Sequence, residues 1–228
     1  MSTPAPKSHP VIISPSAANE YLSPHNVDTS LLEQALATAV ARRNNCSIHA
    51  PLITPGMELW AEANTEIRRL FCATGEWNQV DANNRALVAH AKRDMCFTAV
   101  SGNSATGIPS LSPDFSRARG AATVDSINSR NNAGNQPSLF DTVVTPPTVN
   151  HEPPLGEWIL LYFYDEEEHE LRSEFSRPAM VTQDGRIAKW DVRVLLKTVH
   201  TGFEISQPDL FQTEDDDIDF TISRATGE

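Results

Sequence analysis

Two local sets of residues are of types that could bind a metal ion. Cys46 and His49 stand three positions apart, a spacing found in zinc sites, and the run Asp165–Glu170 places carboxylates around one histidine. A structural zinc ion normally takes four Cys or His ligands, and no second pair follows at a ligand distance. Oxygen-ligand sites use spaced rather than consecutive carboxylates, which favours a solvated strand end and turn at Asp165–Glu170. We therefore expect no metal and no cofactor.

Catalytic motifs are also missing from the sequence. There is no GxSxG, no P-loop, no HExxH and no paired CxxC. His90 is interpreted as a surface residue of a helix that also carries Lys92, Arg93 and Asp94, and not as a general base. The sequence thus predicts a protein that is not an enzyme.

Charge limits the classes of partner. Thirty Asp and Glu residues against eighteen Lys and Arg residues give a formal net charge of −12 at pH 7. Such a chain repels phosphate, whose binding needs Lys and Arg to displace counterions, so we expect no direct, extensive nucleic-acid binding. No apolar run of about 18 residues is present, which predicts no membrane span. A partner protein is the better expectation.

The cysteines and the N-terminal residues indicate a compartment. Cys46, Cys72 and Cys96 form an odd, scattered set, which is typical of a reducing environment rather than of a disulfide framework. Residues 1–15 are rich in Ser and Pro and lack the apolar centre of a secretory signal. Both features predict a cytoplasmic protein.

The elements that position these residues are predicted to form an α+β fold of two small lobes. The predicted segments are an irregular tail (1–28), a small N-terminal helical lobe (29–100), a flexible linker (101–154), a small C-terminal antiparallel β lobe (155–205) and an acidic tail (206–228).

Three amphipathic helices are predicted in the helical lobe. Ser30 and Glu33 form a capping box ahead of the first helix. The second helix follows Pro55 and ends at Gly75, and the third occupies residues 81–94. Three such helices can bury one another and give this lobe a core.

The linker and the β lobe differ in composition. Residues 101–154 are rich in Ser, Asn, Gly and Pro and cannot bury enough surface to offset backbone ordering, at roughly 1–2 kcal/mol per residue. Beyond them, Trp158–Tyr164 is predicted to be a buried strand. Asp184 and Gly185 predict a type I′ turn in a β-hairpin, because that turn needs positive φ at both central residues.

One five-residue string, Q-P-[SD]-L-F, occurs twice. The copies are Gln136-Pro137-Ser138-Leu139-Phe140 in the linker and Gln207-Pro208-Asp209-Leu210-Phe211 in the acidic tail. The chain has only three Leu-Phe dipeptides and six Gln residues, yet in two of the dipeptides a Gln stands three positions before the Leu. Disordered segments normally avoid aromatic residues, so a Leu-Phe pair in one indicates an anchor for a pocket on another protein. The alternative is that the pairs pack against the chain's own lobes.

These pentapeptides resemble the motif by which bacterial replication and repair proteins bind the β sliding clamp, the ring that tethers DNA polymerase to DNA. The resemblance implies that Gln136 and Gln207 hydrogen-bond in one subsite of the clamp. It also implies that the two Leu-Phe pairs fill a hydrophobic cleft. Pro137 and Pro208 replace the commoner Leu of the motif, which stiffens the peptide for an extended pose.

The resemblance leaves several classes of function open. The first is a toxin-like inhibitor that occupies the clamp cleft, blocks replication elongation and is controlled by an antitoxin or a proteolytic adaptor. A second is an accessory factor of DNA repair or translesion synthesis that is recruited by the same peptides. A third, an unrecognised nuclease tethered to replication forks, would require carboxylates clustered around a metal ion.

Overall fold

The computed structural model describes residues 10–133 and 152–200 of the 228-residue chain. The helices in these ranges are α1 (Pro15–Leu22), α2 (Thr29–Asn44), α3 (Thr54–Ala73) and α4 (Ala121–Ala133), with a 3₁₀ turn at Ser23–His25. The strands are β1 (Val11–Ile13), β2 (Trp77–Ala82), β3 (Arg85–His90), β4 (Met95–Ser101), β5 (Gly156–Asp165), β6 (Glu170–Val181), β7 (Ile187–Leu195) and β8 (Val199–His200). None of the described helices is long and apolar enough to cross a bilayer.

All eight strands belong to one mixed sheet. Their order is β1-β7-β6-β5-β4-β3-β2, and β8 pairs with β6. The pairs β1–β7 and β4–β5 are parallel, and the others are antiparallel. At the outer strand β2, Arg68 donates a 2.9 Å hydrogen bond to the Val80 carbonyl. The prediction of a helical lobe beside a separate antiparallel β lobe is wrong.

The sheet carries a core on each face. Trp158, Leu160 and Tyr162 of β5 pack with α1, α2 and α3, whereas Ile159 and Leu161 pack with α4 and Phe115. Successive side chains of a strand point to opposite faces, so a strand covered on both sides is apolar throughout. The buried strand predicted at residues 158–164 is confirmed for this reason.

Two of the three predicted helices are confirmed. Asp28 is the N-cap of α2, and its carboxylate accepts the Ser30 N–H at 2.8 Å. The predicted capping box is therefore wrong, because Ser30 already lies inside the helix. α3 has Pro55 in its first turn and is followed by Gly75, whose φ of 78° suits a glycine.

The third predicted helix is wrong, because residues 81–94 contribute to a β-hairpin. β2 and β3 pair with Ala82 opposite Arg85, and Asn83 and Asn84 between them have φ values of 52° and 59°. Two adjacent residues with positive φ are what a type I′ turn requires, and Asn tolerates that conformation. Over the six residues of β3, the spacing of the apolar residues fits a helix as well as it fits a strand.

The predicted hairpin at residues 180–190 is confirmed, but its turn type is wrong. β6 and β7 pair on either side of the turn. Within it only Gly185 has positive φ, at 76°, and its N–H donates to the Thr182 carbonyl at 2.9 Å. This pattern is a tight turn followed by a left-handed glycine, not a type I′ turn.

The flexible linker predicted from residue 101 is also wrong over residues 102–133. Glu174 and Arg193 form a buried ion pair, with Arg193 Nη2 2.6 Å from Glu174 Oε2. Arg193 also donates to the Leu111 and Ile108 carbonyls at 2.6 and 3.1 Å. Glu174 accepts the Gly107 N–H at 3.1 Å. Side chains of β6 and β7 thus supply the hydrogen bonds that order a segment of polar composition.

The tail predicted at residues 1–28 is not irregular over its described part. β1 pairs with β7, with Val11 opposite Val192. α1 begins at Pro15, where the fixed φ of proline suits the first helical position. Pro15 therefore marks a helix start rather than a loop.

α4 is fixed to the sheet by an asparagine. The side chain of Asn131 is fully buried and donates to the Glu157 and Pro178 carbonyls at 3.1 and 2.7 Å. Its Oδ1 accepts the Glu157 N–H at 2.7 Å. Pro178 has no N–H of its own, and the β6–β7 register shifts next to it. The asparagine thus replaces ladder bonds that the strands cannot make there.

We expect Asn131→Ala to lower the free energy of unfolding by about 3 kcal/mol, because three buried backbone groups lose their partner. Urea denaturation followed by circular dichroism measures this change. Ser129→Ala on the exposed side of the same helix is the matched control and should change it by less than about 0.5 kcal/mol. Equal effects of the two substitutions would contradict the assigned role of Asn131.

The interpretation of His90 as a surface helix residue is wrong. His90 lies in β3, is buried, and its ring centroid is 4.9 Å from that of Trp77. Its Nδ1 accepts the Lys92 N–H at 3.1 Å, and its Nε2 has no hydrogen-bond partner among the described residues. Burial, followed by the nearby Arg93 charge, lowers the pKa of His90 below its usual value.

A histidine with a lowered folded-state pKa makes stability depend on pH. Below a pH of about 6.5 the unfolded chain binds a proton that the folded chain resists, so the free energy of unfolding should fall as pH decreases. His90→Gln should reduce this fall, and His49→Gln, at an exposed position, should leave it unchanged. Urea denaturation between pH 5 and 8 measures the slopes. The same slope in the wild-type chain and in the His90 variant would refute the assignment.

Candidate functional site

The residues predicted to bind a partner lie outside the described ranges. Residues 136–140 fall between the described ranges, and residues 207–211 follow the second one. These ten residues stay predictions.

The structure does describe the residues from which the chain continues toward the two pentapeptides. α4 ends beside the first residues of β5, since Asn131 contacts Glu157. At the other end of β5, Asp165 pairs with Glu170 of β6, which in turn pairs with His200. Ten residues of strand span about 30 Å, so the two described attachment points lie at opposite ends of the β5–β6 pair.

The third Leu-Phe dipeptide, which has no Gln before it, is structural. Leu70 and Phe71 lie in α3, and Phe71 is fully buried. Its ring centroid lies 5.7 Å from that of Trp77 and 5.0 Å from that of Phe97. The core of the described chain therefore accounts for this Leu-Phe pair.

The two sets of residues that could bind a metal ion lie after a helix end and around a turn between two strands. Cys46 and His49 follow the end of α2, and residues 165–170 include the turn between β5 and β6. The Asp165 carboxylate accepts the Glu167 N–H at 3.2 Å and binds Arg172. Within the described ranges no three His, Cys, Asp or Glu side chains are grouped closely enough to hold a metal ion.

A large groove lies at the carboxyl ends of the parallel strands β4 and β5. Its volume is about 1170 Å³, and its walls are the segment between α2 and α3, the loop that precedes α4, and the β5–β6 turn. Crevices at the carboxyl ends of parallel strands are the usual ligand sites of open α/β sheets. The position of the groove therefore makes it the candidate site of the described chain.

One wall of the groove is apolar and exposed. We call it the apolar rim, and it consists of Ile48, Leu52, Ile53, Met57 and Trp60. Leu52 is fully exposed, and Trp60 keeps 47% of its surface exposed. Five large apolar side chains at one site mark a surface that binds a partner or a ligand.

Another part of the groove wall is cationic. Arg117 is exposed and Arg119 half-buried, and neither has a carboxylate partner among the described residues. The Arg119 guanidinium lies 4.9 Å from the Phe115 ring centroid, and its Nε is buried without a hydrogen bond. Burial lowers the pKa of Arg119, yet a guanidinium stays charged at neutral pH. A third cation, Arg43, lies 3.7 Å from the Tyr164 ring centroid and is paired with Glu166.

The floor of the groove holds a buried hydroxyl with no partner. Tyr162 is 2% exposed, and its hydroxyl makes no hydrogen bond in the described chain. Burial raises the pKa of Tyr162, so the group is a neutral donor. An unpaired buried hydroxyl costs free energy, and such groups in native proteins call for a specific explanation. Beside it, the Ser101 and Ser116 hydroxyls are 2.5 Å apart.

The N-terminus of α3 adds to the positive potential. Ile53 is its N-cap, no side chain caps it, and no acidic residue lies in its first turn. Gly56 of this turn lines the groove. A helix N-terminus carries about half a positive charge and attracts anions. The groove can therefore bind an anionic group that is flanked by apolar surface.

These residues were not predicted as a site. The signals in the sequence were the pair Arg117 and Arg119 and the apolar residues among the prolines between α2 and α3. The two segments come together because α3 packs on β4, whose end leads into the loop before α4. Comparison with protein-family models, curated proteins and solved structures finds no match to this chain. Its function is therefore argued from its own residues.

Proposed function

We propose that the protein is a non-enzymatic, toxin-like inhibitor that binds the bacterial DNA polymerase β sliding clamp and blocks replication elongation. Binding occurs through residues 136–140 and 207–211, and an antitoxin or proteolytic adaptor controls the protein. In this mode of action it resembles SocB, a toxin that acts through the clamp. The observation that carries the proposal is the duplicated Q-P-[SD]-L-F string.

The contrast with the third Leu-Phe dipeptide supports the proposal. Phe71 lies in the core and has no Gln three residues before its Leu, whereas both other dipeptides have one. The duplication therefore concerns the whole pentapeptide and not a general preference of this chain for Leu-Phe.

The affinity of one copy follows from its size. Burying a Leu and a Phe contributes roughly 1.5–3 kcal/mol each, and ordering the peptide offsets part of this gain. Micromolar binding by a single copy is the natural expectation.

Two copies add avidity if they reach two clefts of the ring. Gln136 lies three residues beyond Ala133, and Gln207 lies seven residues beyond His200. At up to about 3.5 Å per residue, these connections span roughly 10 and 25 Å. Added to the 30 Å between the attachment points, they allow the two Gln residues to lie up to about 65 Å apart.

The alternative is an accessory factor of DNA repair or translesion synthesis that the same pentapeptides recruit to the clamp. The apolar rim is the observation that favours it, because a recruited factor needs a second surface for its own partner.

Binding to a purified bacterial β clamp tests the proposal. We expect micromolar or tighter binding by calorimetry, and loss of that binding when Leu139, Phe140, Leu210 and Phe211 are all changed to Ala. The control changes two exposed apolar residues of the sheet and its loop, Leu111→Ala and Met180→Ala, and should bind normally.

Changing one Leu-Phe pair at a time shows which pentapeptide contributes more to clamp binding. We expect the change at Leu139 and Phe140 to cost more binding than the change at Leu210 and Phe211. Greater loss from the second pair would reverse this ranking, and no binding by the intact chain would refute clamp binding altogether.

Growth distinguishes the inhibitor from the accessory factor. Overexpression of the intact chain should arrest DNA replication, because an occupied cleft excludes the polymerase, and the fourfold Ala variant should be tolerated. Incorporation of labelled thymidine measures this effect. Normal incorporation with a chain that binds the clamp would favour the accessory factor.

A further inference from the structure

We propose that the groove is a binding site for the acidic segment Glu214–Phe220 of this chain's own C-terminal part. The proposal does not depend on clamp binding, because occupancy of the groove is measured on the protein alone. It rests on the chemistry of the groove, on the composition of that segment and on the place where the described chain ends.

The groove defines the chemistry of its occupant. Arg117 and Arg119 lack carboxylate partners in the described ranges, and the buried Tyr162 hydroxyl lacks an acceptor. The apolar rim of the same groove needs aliphatic or aromatic cover. A matching ligand therefore combines several carboxylates with one or two large apolar side chains, which is the composition of an acidic peptide.

The segment 214–220 has this composition. It reads Glu-Asp-Asp-Asp-Ile-Asp-Phe, with five carboxylates, one Ile and one Phe. The other dense acidic run, at residues 165–170, has no apolar side chain, and its turn forms part of the groove wall. Segment 214–220 is thus the better match to the part of the groove that combines Arg117 and Arg119 with the apolar rim, since the acidic wall residue Glu166 is paired with Arg43.

The described chain ends next to the groove. His200 pairs with Glu170, whose neighbour His169 lines the groove. The fourteen residues from His200 to Glu214 span up to about 50 Å when extended, which is more than a path from β8 into the adjoining groove requires. A tethered segment also has an effective concentration in the millimolar range, so it binds ahead of free anions in dilute solution.

Docking would restrict the second pentapeptide. Glu214 follows Phe211 by three residues, so a bound acidic segment keeps residues 207–211 close to the groove. Salt should weaken the contact, because exposed ion pairs are screened over about 8 Å at physiological ionic strength.

Trp60 reports occupancy of the groove in the full chain. It belongs to the apolar rim, while the other three tryptophans, Trp77, Trp158 and Trp190, are at most 2% exposed. Acrylamide quenching of tryptophan fluorescence therefore measures access to Trp60. Neutralising the segment with Asp215→Asn, Asp216→Asn, Asp217→Asn and Asp219→Asn should raise the quenching constant roughly twofold, because the ring loses its cover. Changing the same four residues to Glu keeps the charge and should leave quenching at the wild-type level.

Variants of the groove test the other side of the contact. The double variant Arg117→Ala, Arg119→Ala should raise the quenching constant by the same factor as the four Asp→Asn changes. Combining the arginine changes with the Asp→Asn changes should raise the constant no further. Tyr162→Phe keeps the ring and removes only the donor, so it should raise quenching less. Circular dichroism of each variant checks that the sheet is intact.

A synthetic peptide of residues 212–222 completes the test. Added to the chain with the neutralised segment, it should restore protection of Trp60, with an affinity that falls as NaCl rises. Equal quenching in the wild-type chain, the neutralised chain and the Glu variant would overturn the proposal. Protection that increases with protein concentration would also overturn it, in favour of a segment supplied by a second copy.

Discussion

The parallel pairing of β4 with β5 is the constraint on which the other features depend. Antiparallel neighbours can be joined by a tight turn, but a parallel pair needs a crossover of a dozen or more residues. In this chain the crossover contains the loop before α4 and α4 itself, and these cover one face of the sheet. α1, α2 and α3 cover the other face. The carboxyl ends of β4 and β5 then lie side by side, and the groove opens there.

Buried polar side chains make this arrangement specific. Glu174 and Arg193 are both almost completely buried, and such a pair loses much of its Coulomb energy to desolvation. It is retained here with hydrogen bonds to the Ile108 and Leu111 carbonyls and the Gly107 N–H, so the pair orders the crossover loop. Asn131 does the same for α4. The irregular parts of the chain are thus held by polar groups that project from regular elements.

Local signals in the sequence predicted the elements whose formation depends on residues close together in the chain. α2, α3, the buried strand β5 and the β6–β7 hairpin were predicted, because amphipathic periodicity, Pro, Gly and dense apolar runs act within a few residues. The β2–β3 hairpin was missed since its turn is Asn83-Asn84 rather than Asn-Gly. The loop before α4 was mistaken for a linker because its hydrogen-bond partners are 67 to 85 residues away in the sequence. The groove was missed for the same reason, as Arg119 and Trp60 meet only through the sheet.

The place of β1 in the sheet has a consequence for folding on the ribosome. β1 is made first, yet its only partner in the described sheet is β7, with Val11 opposite Val192. At a synthesis rate of roughly 5–20 residues per second, β7 emerges about 10–35 s after β1. Contacts between such distant residues slow folding, because closing a long loop costs chain entropy before the strand pairing contributes any stability. During this interval the only strands that α3 has to pack against are β2, β3 and β4, because β5, β6 and β7, which complete this face of the core, are still being made.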